Sequence, residues 1–424
     1  MSRGVTARDR RARFSAYTAF AVQGLCFASL VTQVPQLQRA HRMSDATLSL
    51  VLLTVPLVAG VGSVVSGALF QRFGSGPVLR ASQPAVAATI ALIGLTGDLT
   101  FRGTVPRPPA IVEDLALYAA VAAFGLFVGA VDASMNAQAV AVERRYGMSL
   151  ITGFYAVWSV AGILGGLWAS LSNRIDLPLP ACFGIAAAAG IAASLATGHG
   201  LYRRDEEGDG PTAAELKAAG RRVPWRPVLV VGAAMAVAYL ADSAISNYGA
   251  KYLDDELAAA DWVAPLGYVA YQVTMVVSRA VADLAVRRSG PVRVVRIAGA
   301  VGITGMAGVV AAPNAAFGIA AFAVAGLGLA VIAPVCFTAA GRVDPTGLGV
   351  AVARVNIFNY VGFVLGAAVV GAIAPLSEDN GLRIAFLVPT ALILVVFATA
   401  RGFDPAPARD SRPDSPATVQ RPVA

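Results

Sequence analysis

Asp132 and Asn136 stand four residues apart in the stretch 129–145, so on a helix they share one face. Glu143 returns to that face seven residues later, just before Arg144 and Arg145. A carboxyl beside a carboxamide can hold a cation, a hydroxyl or a proton. The residues around them are apolar, and in lipid such groups are costly and mark substrate or ion pathways. A helix-packing acid hydrogen-bonded to a neighbouring helix is the plainer alternative for Asp132. Gln138 points about 200° away from Asn136, so it is expected to pack against a neighbour.

Three further stretches carry similar groups. Asp242, Ser243, Ser246 and Asn247 precede Gly249 and Lys251, a mixture that predicts a locally broken helix lining a cavity. Arg354, Asn356, Asn359 and Tyr360 follow one another at helical spacing. The two asparagines suit a hydroxyl-rich or amide-bearing solute, and Arg354 is placed to snorkel to the membrane edge. Arg279 and Asp283 sit four apart, as an intrahelical ion pair or as gating charges. Tyr155 and Trp158 could stack on a ring or simply pack.

These groups need long helices to position them, and the composition supplies those helices. The 424 residues are 57% hydrophobic and 14% charged, with a mean hydropathy of +0.67. Soluble domains carry about 25% charged residues. The apolar runs reach the roughly 20 residues of a spanning helix and are too long and uniform for barrel strands. The fold class is therefore an all-α polytopic membrane protein. Twelve spans are expected near 14–38, 46–70, 79–97, 113–142, 150–173, 179–198, 227–251, 263–286, 294–312, 315–341, 348–373 and 382–401.

A polar break at 199–226 divides them into two six-helix bundles, 14–198 and 227–401. Residues 1–13 form a basic leader to an uncleaved first span, and 402–424 a disordered tail. With both termini cytoplasmic, 24 of the 33 Lys and Arg fall inside and 7 outside, with Arg279 and Arg354 within spans. That bias matches the positive-inside rule. It also gives the net charge of +8 a membrane explanation in place of nucleic acid.

Other chemistries lack their residues. Neither Lys217 nor Lys251 follows a glycine as a P-loop lysine must. His41 and His199 fall at opposite membrane edges with no nucleophile or metal partner in view. Cys26, Cys182 and Cys336 all lie in apolar runs and read as core residues. No enzyme activity, cofactor or metal site is expected.

The halves repeat. Residues 71–80, with Arg72, Gly74 and Arg80, follow the second span. Residues 287–296, with Arg287, Arg288, Gly290 and Arg296, follow the eighth, and the glycine and final arginine match in offset. Trp158-Ser159-x-x-Gly162-x-x-x-Gly166 in the fifth span echoes Phe358-Asn359-x-x-Gly362-x-x-x-Gly366 in the eleventh. Paired echoes in equivalent spans point to duplication.

On these residues the chain resembles the major facilitator superfamily over 14–401. Residues 67–76 resemble its Gly-x-x-x-Asp-Arg-x-Gly-Arg-Arg loop, with Gln71 in place of the acid and Ser75 in place of a basic residue; in the second copy Arg287 replaces the acid. Residues 132–138, 142–145 and 153–162 are similar to a bacterial branch distantly related to fucose–proton symporters, in which His often stands at the position of Tyr155. The resemblance implies a monomeric secondary transporter of the cytoplasmic membrane. Two pseudo-symmetric bundles would rock around a central site, carrying a small solute, by preference in symport with protons. Export or antiport of drugs or metabolites, and a non-transporting receptor with the same fold, are the alternatives. Asp132, Asn136, Tyr155, Trp158, Asp242, Asn247, Asn356 and Asn359 are the binding candidates. Arg72, Gly74, Arg80, Glu143, Arg144, Arg145, Arg279, Asp283, Arg287 and Arg288 are the gating candidates.

Overall fold

The computed structural model describes residues 5–98, 110–148, 150–207, 213–346, 349–377 and 380–403. The first half contains α1 (Ala7–Thr32), α2 (Val34–His41), α3 (Asp45–Phe73), α4 (Ser75–Asp98), α5 (Ala110–Tyr146), α6 (Ile151–Arg174) and α7 (Leu179–Thr197). The linker between the halves holds α8 (Ala213–Arg222). The second half contains α9 (Trp225–Asp255), α10 (Ala264–Ser289), α11 (Pro291–Val310), α12 (Ala315–Val343), α13 (Val350–Ile373), α14 (Gly381–Leu392) and α15 (Leu394–Thr399).

Among the described residues, eleven spans are long and apolar enough to cross a membrane. One of them joins α14 and α15 across Ile393, within Gly381–Phe403. The twelfth crossing is α10, whose Gln272, Thr274, Ser278 and Arg279 reduce its apolar character.

Several helix ends differ from the sequence expectation for local reasons. The first helix starts at Ala7, not near residue 14. The hydroxyl of Thr6 accepts from the amide of Asp9 at 3.2 Å, and the Asp9 carboxylate accepts from the amide of Thr6 at 2.8 Å. A reciprocal cap of this kind contributes about 1 kcal/mol and draws the basic segment into the helix. The expected first span to residue 38 is instead two helices. Pro35 has no N–H to continue the ladder, so α1 ends at Thr32 and α2 restarts at Val34.

The helix expected to break near Asp242 is continuous as α9. The Asn247 amide donates to the Ser243 carbonyl at 2.9 Å, and the Ser243 hydroxyl donates to the Phe363 carbonyl at 2.6 Å. These polar groups are satisfied within or between helices without unwinding the chain. His41, expected as a solvated loop residue, ends α2 and shares a hydrogen bond with Thr96 at 3.2 Å.

The packing of the first half recurs in the second. In the first, α1 packs on α6, α3 on α5, and α4 on both α5 and α7. In the second, α9 packs on α13, α10 on α12, and α11 on both α12 and α14. The two echoed loops share their geometry. Gly74 and Gly290 end α3 and α10 with φ of +82° and +77°, where a side chain would be strained. Gly362 and Gly366 bring α13 onto α9. A β-carbon there would lie 2.2 Å from the Ala236 carbonyl oxygen and 2.3 Å from that of Leu240.

The halves meet along three seams, α1 on α9, α3 on α13 and α6 on α10. One end of the molecule carries the linker and is called the linker face; the other is the distal face. The three cysteines are free and buried.

Candidate functional site

The seams enclose a polar cluster near the middle of the helices. Asp132 is eleven residues from Glu143 on α5, and Tyr360 is ten from Val350 on α13. At ~1.5 Å per residue both lie roughly 15 Å inside the linker face. The Tyr360 hydroxyl donates to Asp132 Oδ2 at 2.7 Å, joining the two halves. Asn136 Nδ2 donates to Asp132 Oδ1 at 3.3 Å and to its own helix, the Asp132 carbonyl, at 2.9 Å. The Tyr155 hydroxyl of α6 donates to Asn136 Oδ1 at 3.0 Å. One chain of hydrogen bonds thus runs from α6 through α5 to α13.

A second acid faces this chain from the other half. Asp242 of α9 accepts from the Tyr271 hydroxyl of α10 at 2.5 Å. Tyr239, one turn before Asp242, lies within the electrostatic reach of Asp132, Asp242 and Arg279. Arg279 donates to the Ser159 hydroxyl of α6 at 3.2 Å, a second polar tie between the halves at this depth. Asn359 donates to Asn356 at 3.3 Å on α13. Trp158, Phe27 and Phe363 form an apolar patch between the halves, with centroids 5.8 and 6.1 Å apart around Phe27. Together these place two carboxyls, one guanidinium, four phenols and three amides at mid-depth between the halves. They can exchange a proton and hydrogen-bond a hydroxylated or amide-bearing solute.

Other residues singled out in the sequence lie elsewhere. Asn247 is buried with its amide on Ser243, pointing along its own helix. Arg354 donates to the carbonyls of Gly220 and Val223 at 2.6 and 2.8 Å and lies 4.2 Å over the Trp225 ring. It fastens the linker to α13 and does not snorkel freely. Arg279 is engaged with Ser159, while the side chains of Asp283 and Gln71 lie outside the described residues. Arg287 and Arg288 are exposed on the linker face.

The remaining gating candidates surround the start of the linker. Gln138 is fully buried there. It donates to Ser75 Oγ at 2.9 Å, Glu207 Oε1 at 3.1 Å and the Tyr202 carbonyl at 3.2 Å, and accepts from the Tyr202 amide at 2.9 Å. Glu207 also receives the first amides of α4, Ser75 and Gly76, at 2.8 and 3.2 Å, where a helix N-terminus favours an anion. Arg8 pairs with Glu206 at 2.5 Å, and that hydrogen-bonded guanidinium holds the Glu206 carboxyl below the usual carboxylate range. Arg145 donates to the Glu206 carbonyl at 3.0 Å, Arg204 to that of Arg72 at 3.1 Å, and Arg80 to that of Gly198 at 3.1 Å. Glu143 and Arg144 flank this region on the last turns of α5, with Arg144 exposed.

At the distal face, a set of ion pairs closes the halves together. Arg39 reaches Asp254 and Asp261, each at 2.8 Å. Lys251, 3% exposed, is bound by Gln38 at 2.6 Å, by Asp45 at 3.0 Å and by Asp255. Sequence reasoning passed over Lys251, Tyr239, Tyr271 and Arg39. Lys251 carries a sequence signal, since it is an isolated lysine at the end of an apolar run.

Comparison with known proteins places this arrangement. The sequence model of the Major Facilitator Superfamily matches residues 16–315. An uncharacterised MFS-type transporter of Yersinia pestis is 27% identical over 389 residues, covering 90% of this chain and 93% of that protein. The membrane protein MosC of Rhizobium meliloti is 27% identical over 392 residues, covering 91% and 88%. Among solved structures, the nucleoside transporter NupG superposes with a TM-score of 0.69 at 13% identity, covering 94% of this chain and all of that one. A bacterial homologue of the human lysosomal transporter Spinster, inward-facing and unoccupied, also gives 0.69 at 13% identity, covering 94% and 98%.

Proposed function

The chain belongs to the major facilitator superfamily and is a transporter, and from that premise we propose that it is a proton-coupled symporter of a small polar solute. Residues 14–198 and 227–401 are the two bodies that rock about the central cluster. The chain acts as a monomer in the cytoplasmic membrane, with both termini and the linker inside. The concentration of Arg and Lys on the linker face supports that orientation.

The observation that carries the reading is the Asp132–Tyr360 bond, which sets a buried acid of one half against the other half at mid-depth, with Tyr239 within electrostatic reach of both Asp132 and Asp242. Buried acids at such an interface are costly unless they have a task. Asp132 has neutral donors, Tyr360 and Asn136, as its hydrogen-bond partners, so it can lose or gain a proton without breaking an ion pair. Asp242 accepts from the Tyr271 hydroxyl and shares its surroundings with Arg279. Asn136, Asn356, Asn359 and Tyr155 offer amides and a phenol to solute hydroxyls or carbonyls. The ion pairs at the distal face support a state closed on that side, with solute access from the linker face.

The test is counterflow of radiolabelled sugars, nucleosides, amino acids and organic cations in proteoliposomes, followed by proton-driven accumulation. Asp132→Asn is expected to abolish accumulation while sparing exchange. Full accumulation by the variant would remove Asp132 from the proton step. Accumulation driven only by an outward solute-for-proton exchange would replace symport with antiport.

A further inference from the structure

Tyr360 is the residue through which the charge of Asp132 reaches the other half. Its hydroxyl crosses the seam to Asp132 Oδ2 at 2.7 Å, from α13 of one half to α5 of the other. We propose that Tyr360 is a positioning residue that ties the two halves together when Asp132 is a carboxylate and releases them when Asp132 is protonated. This rests on the proton role given to Asp132 above.

The physical basis is the strength of a charge-assisted hydrogen bond. A phenol donating to a carboxylate holds about twice as strongly as one between neutral groups. Protonating Asp132 therefore weakens the Tyr360 contact without moving an atom. Other mid-depth contacts lack this property. Arg279 to Ser159 joins a fixed cation to a hydroxyl that does not titrate in the working range. The ion pairs of the distal face lie at helix ends. Among these mid-depth contacts, the Asp132–Tyr360 bond alone spans the halves and changes strength with a single proton.

The surroundings of Asp132 leave Tyr360 in control. From α6, Tyr155 addresses Asn136 and not the carboxylate. From α9, Tyr239 comes within electrostatic reach of Asp132, and it is also within reach of Asp242 and of Arg279 from α10. The other helices packed on α5 keep their described charges at their ends: Arg8, Asp9, Arg10, Arg11 and Arg13 on α1, Asp45 and Arg72 on α3, and Arg80 on α4. Asp132 Oδ2 thus has one donor from the opposite half, and that donor is Tyr360.

The experiment reads the halves directly and needs no substrate. Nitroxide labels are placed on the linker face at Met148→Cys, one per first half, and at Arg288→Cys on the second; both sites are exposed. The native cysteines are buried and stay unlabelled. The inter-label distance distribution in liposomes is followed across pH. The wild-type sequence is expected to change with one midpoint, set by Asp132. Tyr360→Phe lacks the tie, so its distribution should stay close to the acidic, released form at every pH, with the pH-dependent change reduced about twofold or more; because a donated hydrogen bond favours the ionised form, any change that remains should have its midpoint moved upward by about 0.5–1 pH unit. Tyr155→Phe, which removes a phenol that does not touch the carboxylate, should keep the wild-type amplitude. A purely structural role for Tyr360 would lower thermal stability and leave the amplitude in place. A pH response of full amplitude in Tyr360→Phe, with the response still lost in Asp132→Asn, overturns the proposal and keeps Asp132 as the proton site. A pH response that survives Asp132→Asn overturns both.

Discussion

Gly362→Ala should both loosen the second half and disturb the central cluster. The added β-carbon would lie 2.2 Å from the Ala236 carbonyl oxygen, with the Ala236 carbonyl carbon at 2.9 Å. Carbon–oxygen contacts between helices settle at about 3.3–3.6 Å, so α13 and α9 must part by roughly 1 Å. The obstacle is backbone, and no rotamer change relieves it. Overpacking of this kind costs about 1–3 kcal/mol. For a bundle of this size that lowers the unfolding midpoint by roughly 2–10 °C. The displaced helix also carries Tyr360, whose bond to Asp132 is 2.7 Å long. A shift near 1 Å consumes the whole tolerance of that bond, and misplacement on this scale can slow a reaction about a hundredfold. Thermal unfolding in detergent and proton-driven accumulation in proteoliposomes measure the two effects. Gly60→Ala is the control, since a β-carbon at Gly60 meets nothing within 4 Å; its midpoint should hold or rise slightly. A Gly362→Ala protein with unchanged midpoint and unchanged transport would show that the helices separate freely, and the reasoning from backbone approach would fail.

Acid should release the start of the linker. Glu206 is held below the usual carboxylate range by Arg8, so its stabilising contribution is complete above the ordinary Glu value of about 4.3 and is lost as pH falls through the lower folded value. The hydrogen-exchange protection of residues 200–207, taken relative to the intrinsic rate at each pH, should therefore fall in acid, and Glu206→Gln should show the lowered protection at neutral pH. Gln138→Leu leaves the Tyr202 amide without its acceptor and Glu207 without one of its donors. A buried group left unpaired costs about 1–3 kcal/mol, and proteolysis within the linker at neutral pH should accelerate; wild-type resistance would show that Gln138 does not dock the linker. Lys251→Met removes the cation shared by Asp45 and Asp255. Both carboxylates are 44% exposed and can take up water, so the cost lies between about 1 kcal/mol for an exposed pair and roughly 3–5 for a buried one. Maleimide labelling of Ser49→Cys at the distal seam should rise; unchanged labelling would mean that Lys251 does not hold the halves together.

The amino-acid sequence determined the membrane class, the polar break at 199–226 and the repeat, because hydropathy over 20 residues and glycine spacing are local properties. Gly74 and Gly290 were matched by offset, and they do share one backbone geometry. Asp132 and Asn136 were placed on one face by helical period, and they do touch. The tertiary structure decided what each polar residue faces. Helix rotation is set by packing between chain segments far apart in sequence, and no local pattern encodes it. Tyr360, 228 positions from Asp132, becomes its partner only when α13 crosses the seam to α5. Asn247 has the composition of a binding residue and turns inward onto Ser243. Lys251 gains a role only when α3 delivers Asp45 to it from the other half. The kinds of chemistry were written in residue type and spacing. Which groups act together was settled by the contact between two halves, where the cost of burying a charge in a low dielectric selects its neighbours.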